Sequence, residues 1–321
     1  MDSEGGVWML KKYITDNGRI HEIDEYVPGN WIVLIKPDGE EVEEVARYYD
    51  IDISDIRAAL DDEETSRIDV NDEYTMIVCD IPSVEIRHKQ TAYTTIPLGI
   101  IWTESMIITV CSAESPILMQ FINNMVKGFT TKKQVRFCYQ LLYRNCMFYQ
   151  SYLRVIDRQR VQMEEQISKH MEDIDIINLH ELESTLVYFD TSLRANRIVL
   201  DKFSRYSKIK RYPEDQELLE DVIIENQQAI EMTQIYRDIV RGTRELMSSV
   251  LDNRMNNVMK YLASITLVMA VPTVISGLYG MNVDSRWMPL AHTAYGFEII
   301  CGIAFLICVI LLIILRKRKM L

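Results

Sequence analysis

A chain of 321 residues with 47 acidic and 35 basic side chains has a net charge of −12, the wrong sign for a nucleic-acid surface. From Tyr261 onward five basic residues stand against two acidic ones, a net +3, so residues 1–260 carry −15, a charge that suits cation partners or serves only solubility. The six cysteines (79, 111, 138, 146, 301 and 308) form no C-x-x-C pair and the five histidines show no ligand spacing, which excludes disulfide and zinc frameworks.

The N-terminal MDSEGGVWML has neither a basic region followed by an apolar core nor an Arg-rich transit composition, so no targeting peptide is expected. In the first third, NWIVLIKP, EYTMIVCDIP and the hairpin TTIPLGIIWTESMIITVCS are rich in β-branched and aromatic residues, and Pro, Gly and Ser bound them. They predict strands, with EEVEEVARYYD and DISDIRAAL as short helices between them. This gives an α/β domain over residues 1–130. It carries no glycine-rich phosphate loop, no G-x-S-x-G and no H-E-x-x-H, so no enzyme is expected. The acidic runs Asp61–Asp69 and Pro213–Asp221 offer oxygen ligands for divalent cations, and serve equally as solvated faces.

Two amphipathic helices, Lys133–Met171 and Leu179–Tyr206, with SKIKRY as the turn after them, fill residues 131–212 as an antiparallel helical layer. Pro213, followed by Glu214 and Asp215, then opens a helix with apolar residues spaced by threes and fours. Only Gly242 and Pro272 interrupt it before Leu278, and as one rod it would be about 100 Å long. A rod of that length needs neighbours to bury its stripe, which predicts a bundle or an oligomer. Residues 213–260 form its stalk.

No charged side chain lies between Tyr261 and Val283, and Ile299–Leu315 is apolar throughout. Each stretch suffices to cross a bilayer, which takes about 20 helical residues, so spans are expected at 261–282 and 296–315 with a loop at 283–295. Core helices of a soluble protein are the alternative. The basic tail at 316–321 follows the second span, and Arg254 and Lys260 precede the first, which places both termini in the cytoplasm of a multi-pass cell-membrane protein. Trp287 and Tyr295 suit the outer interface.

An acidic α/β domain, a long helix entering the first span, Tyr279-Gly280-Met281-Asn282 at its outer end, a loop with Met288-Pro289, a second span and a basic tail together resemble the CorA magnesium and cobalt transporters. The resemblance covers the whole chain by architecture, and residue by residue from about Asn256 on. It implies an α+β membrane protein assembled as a funnel-shaped homopentamer in the lipid bilayer, with first spans lining a central pore. The stripe Asn256, Met259, Leu262, Thr266, Ala270, Thr273, Gly277 and Gly280 is mostly small or polar, as helices meeting around an axis require.

Mg²⁺ sheds its six waters reluctantly, so a ring of Asn282 side chains and Gly280 carbonyls would accept hydrogens from the hydrated ion. Gly280 eases the backbone turn and Met281 packs outward. Met259 and Leu262 would form apolar gate rings, with Asn256 as a polar ring at the cytoplasmic entrance. Thr273 either contacts hydrated ions or repairs the backbone near Pro272. The resemblance also implies closure by cytosolic Mg²⁺ held between subunits, with Asp221 on the long helix. The facing position lands at Ala58 and Ala59, which leaves Asp61 and Asp62 as the nearest carboxylates. The family's Met-Pro-Glu reads Met288-Pro289-Leu290, so Asp284 is the one loop carboxylate. The expectation is a divalent-cation channel for Mg²⁺, with Co²⁺ or Ni²⁺ as further ions. A zinc transporter of the same superfamily and a non-conducting coiled-coil tether are the alternatives.

Overall fold

A computed structural model describes residues 9–87, 90–169, 173–206, 213–284, 286, 288–290, 293–318 and 320. The SKIKRY turn, His88, His170, His292, Trp287 and Lys319 lie outside the described residues, as do most of the N-terminal stretch and Met171, the expected end of the first layer helix. The chain divides into two compact units, Met1–Thr243 and Arg244–Leu321.

The first unit is built on a seven-stranded sheet in the order β2-β1-β3-β7-β6-β5-β4. In chain order the strands are β1 (Met9–Asp16), β2 (Arg19–Ile23), β3 (Asn30–Ile35), β4 (Arg67–Val70), β5 (Thr75–Arg87), β6 (Gln90–Trp102) and β7 (Met106–Cys111). All neighbours are antiparallel except β3 and β7, which run parallel from Asn30 beside Met106 to Ile35 beside Cys111. Both central strands are buried along their whole length, because helices cover both faces of the sheet.

The alternation along β3 shows the two cores. Trp31, Val33 and Ile35 point into one, where Trp31 meets Phe121, Phe129 and Phe137 edge-on and its indole N–H donates to Thr109 Oγ1 at 2.9 Å. Ile32 and Leu34 point into the other, against Val42, Val45 and Ala46 of α1 (Gly39–Tyr49) and Ile56 of α2 (Ile53–Ala58). Asp38 and Glu41 form a reciprocal capping box at the start of α1. At the end of α2 the side chain of Ala59 presses on the sheet at Gly99, where any Cβ would come within 2.5 Å of it.

The first core is closed by α3 (Pro116–Ile122), α4 (Gln134–Lys169), α5 (Asp173–Arg205) and the start of α6 (Pro213–Tyr279). Arg136 on α4 donates to buried Asp215 on α6 at 3.0 Å. On α5, Asp190 accepts from Arg194 at 2.9 Å and from Arg237 of α6 at 3.0 Å. Such charges are stable away from water only when paired.

One side-chain contact completes the sheet. The last β4–β5 pair is Arg67 with Val78, so β5 beyond that point has no strand on its outer side. There the Asn196 amide of α5 accepts from Asp80 N–H at 2.9 Å and donates to Asp80 C=O at 2.8 Å. The same carbonyl also accepts from Asn145 at 2.8 Å and from the Tyr149 hydroxyl at 3.2 Å.

The structure adds elements to the expected strands and helices and moves some of their ends. β1 and β2 form a hairpin around Asn17 and Gly18, both at positive φ, an Asn-Gly turn whose twist matches that of its strands. β6 begins at Gln90, ahead of the expected Thr94, and α5 begins at Asp173, ahead of Leu179.

The second unit contains the C-terminal part of α6 and α7 (Gly296–Lys317). They run antiparallel, tied where Cys308 Sγ meets the Val268 carbonyl at 3.6 Å and where the Ser264 hydroxyl meets the Met320 carbonyl at 3.1 Å.

Candidate functional site

Both helices of the second unit are long and apolar enough to cross a membrane, and only 6% of each apolar window is buried. A core helix of a soluble protein would be mostly buried, so these side chains require an apolar environment from outside the single chain. At about 1.5 Å per residue, the 22 residues of α7 span a hydrocarbon layer of about 30 Å.

Pro272 interrupts the hydrogen bonding of α6, because its nitrogen has no proton to give the Val268 carbonyl four residues back. The Cys308 thiol of α7 fills that place. Thr273 donates instead to the Met269 carbonyl at 2.9 Å, and Thr266 likewise to Leu262 at 2.9 Å. The Val268 carbonyl is thus met by a cysteine on the other helix, while Thr273 bonds the carbonyl next to it.

The helix ends where the Gly-Met-Asn string begins. Gly280 N–H still donates to Ser276 at 2.9 Å, while Met281 N–H reaches only to Leu278 at 3.4 Å and Val283 N–H turns back to Met281 at 2.9 Å. Gly280 is not at positive φ, and a Cβ there would sit 3.2 Å from the Ser276 carbonyl, a tight contact that a shift of a few tenths of an ångström relieves. Asn282 is exposed, and among the described residues no hydrogen bond of one chain engages its side chain. Polar acceptors thus stand free just past the end of an apolar helix.

The loop beyond is fastened at three points. The Tyr279 hydroxyl donates to the Pro289 carbonyl at 2.7 Å. Leu290 takes φ 66°, and its carbonyl accepts from Thr293 Oγ1 at 2.8 Å and Thr293 N–H at 3.2 Å. That carbonyl leaves no space for a side chain at Gly296, whose Cβ would lie 2.2 Å from it. Asp284, the loop carboxylate, is turned onto its own backbone and accepts from Arg286 N–H at 3.1 Å.

Asn256, Met259 and Leu262 follow one another at intervals of three residues on α6 and are all exposed in the single chain. The regulatory candidates are also exposed. Asp61 accepts from Glu63 N–H at 3.0 Å, Asp62 accepts from Ser112 Oγ at 3.3 Å, and Asp221 stands on α6. Among the described residues no three His, Cys, Asp or Glu side chains of one chain gather as a metal site, so Asp61, Asp62 and Asp221 are not brought together. Tyr279, Cys308 and Gly296 hold the loop and the helix pair through contacts that the sequence reading did not assign. The Tyr preceding Gly-Met-Asn was the one available signal.

Residues 29–317 match the family described as CorA-like Mg2+ transporter protein. The Cobalt/magnesium transport protein CorA of Methanocaldococcus jannaschii is 29% identical over 296 residues, 89% of this chain and 90% of that one. The complete structure of the CorA magnesium transporter from the same organism superposes with a TM-score of 0.82 at 24% identity, over 96% of this chain and 98% of that chain. The ZntB cytoplasmic domain from Vibrio parahaemolyticus shares the fold more distantly, with a TM-score of 0.60 at 10% identity over 77% of this chain and 99% of that chain.

Proposed function

The chain belongs to the CorA-like Mg2+ transporter family, and on that premise we propose that it is a channel admitting hydrated Mg²⁺ to the cytosol. The observation that carries this reading is the free Asn282 amide immediately past the end of α6 at Tyr279. Mg²⁺ holds its waters, so a site that selects the hydrate needs acceptors for water hydrogens, which amide and backbone carbonyls supply without touching the metal. Several copies around one axis would turn one amide into a ring.

The reading extends to a homopentamer in the cell membrane with both termini in the cytoplasm, spans at 261–282 and 296–315, and α6 lining the pore. Exposure of Met259 and Leu262 supports their assignment as apolar gate rings, because each needs covering that one chain does not provide. Asn256 is assigned the polar entrance, and Thr273 is placed on the pore stripe. Closure by cytosolic Mg²⁺ is assigned to Asp221 of one subunit facing Asp61 or Asp62 of the next. Co²⁺ and Ni²⁺ are further ions of the same reading. Gly-Met-Asn favours magnesium over zinc, and the polar residues of the stripe disfavour a non-conducting tether.

The test is flux of Mg²⁺, Co²⁺, Ni²⁺ and Zn²⁺ into liposomes containing the purified full chain. Mg²⁺ entry down its electrochemical gradient without ATP is expected. Zn²⁺ entry without Mg²⁺ entry would move the chain to the zinc reading, and no flux of any ion would favour the tether.

A further inference from the structure

Among the described residues, no hydrogen bond within one chain aims Asn282, which leaves the backbone that carries it. Its side chain has no hydrogen-bond partner among the described residues, and the helical hydrogen bonds of α6 are already weakening at Met281. Its direction must therefore be set by how the two ends of the loop are held. The far end is built onto the start of α7, through the positive φ of Leu290, the double acceptance by its carbonyl and the tight approach of Gly296. Among the described residues, the near end has one hydrogen bond to that frame, from Tyr279 Oη to the Pro289 carbonyl at 2.7 Å. Proline has no N–H, so its carbonyl is the only backbone group it can offer.

We propose that the Tyr279 hydroxyl is the positioning group of the ion mouth: by holding the Pro289 carbonyl it fixes the Gly280–Asn282 turn, so that Asn282 meets the hydrated ion preorganised. The inference rests on the reading of Asn282 as the mouth. A freely swinging amide must be ordered each time an ion arrives, which weakens binding at the mouth. Groups deeper along α6 do not depend on this tie, so the loss falls on affinity for the ion and spares maximal flux.

Tyr279→Phe keeps the ring and its packing and deletes only the donor. In liposomes containing the full chain, the Mg²⁺ concentration for half-maximal flux should rise roughly 3- to 10-fold, the range one neutral hydrogen bond governs. Block by hexamminecobalt(III), whose inert ammines stand in for the waters of a hydrated ion, should weaken in the same proportion. Maximal flux, mass in detergent and melting temperature should stay at wild-type values. Unchanged half-saturation and block would overturn the inference. So would a lowered melting temperature with reduced maximal flux and unaltered half-saturation, the signature of a purely structural tie. Asn282→Ala, measured in parallel, separates the two ideas. If it conducts like wild type, the mouth reading falls and this inference with it; if it is inactive while Tyr279→Phe is normal, only the inference falls.

Discussion

The side-chain amide of Asn196 pairs with both backbone groups of Asp80, taking the place of a strand at the point where β4 has ended. A helix thereby completes a sheet edge whose N–H would otherwise be unmet under α5, the carbonyl being shared with Asn145 and Tyr149. Asn196→Ala should destabilise the protein by about 1–3 kcal/mol, the cost of leaving the buried Asp80 N–H unpaired, and lower its melting temperature in detergent. An unchanged melting temperature would mean that water serves this edge equally well.

Burial raises the Asp80 carboxyl above the ordinary value of 3.8, and the Ser192 and Ser66 hydroxyls offset part of the rise. A raised folded value means that the folded state holds this proton more tightly than the unfolded state does. Stability is therefore lost as pH rises from 3.8 through the folded value, and the loss persists at neutral pH. Asp80→Asn should accordingly melt higher than wild type at neutral pH, with the difference vanishing as the pH approaches 3.8. A difference independent of pH would show that the ionised carboxylate costs nothing there.

On the reading of Asn282 as the ion mouth, Asn282→Ala should abolish Mg²⁺ uptake while leaving the mass of the assembly intact, because the side chain is exposed and has no hydrogen-bond partner among the described residues. Wild-type flux through this variant would remove the selectivity ring.

The Cys308 thiol answers for the proton that Pro272 lacks. Cys308→Val, similar in shape, should leave the Val268 carbonyl unpaired and destabilise by about 0.5–1.5 kcal/mol, whereas Cys308→Ser keeps a donor and should melt near wild type. Equal melting of the two variants would show that the carbonyl finds another partner.

Residues 1–260 repeat a charge of −15 in every copy of an assembly, so neighbouring copies repel unless cations intervene. A cation that binds only the closed state stabilises it by about 2.7 kcal/mol at a hundredfold excess over Kd. Millimolar Mg²⁺ should therefore slow limited proteolysis and raise melting in wild type, and do neither in Asp221→Asn with Asp61→Asn. Equal protection of both proteins would locate control elsewhere.

The features legible in the sequence were those written in local periodicity. The buried run NWIVLI, the opening of α6 at Pro213 with Glu214 and Asp215, and the two uncharged C-terminal stretches each carry their signal within one segment. The β1–β2 hairpin also had a signal, Asn17-Gly18, but Lys11 and Lys12 on β1 interrupt the apolar alternation of that strand. What joins distant positions had no local trace. Asn196 reads as an ordinary helix residue until α5 packs across β5, and Cys308 as one more apolar residue of α7 until it meets Val268. Tyr279 and Pro289 flank the quoted motif, yet their bond depends on a chain reversal at Leu290, a residue type that seldom takes positive φ.

The parallel pairing of β3 with β7 also dictates an order of events during folding. Asn30 and Met106 are separated in the chain by α1, α2, β4, β5 and β6, so pairing the middle of the sheet closes a long loop whereas its edges are local hairpins. Closing so long a loop costs entropy before any contact compensates it, which makes this step the natural bottleneck of the unit. Until it is passed, Trp31 on β3 and Phe121 and Phe137 on the later helices have no common core to enter, and the half-made sheet carries the apolar faces most prone to aggregate.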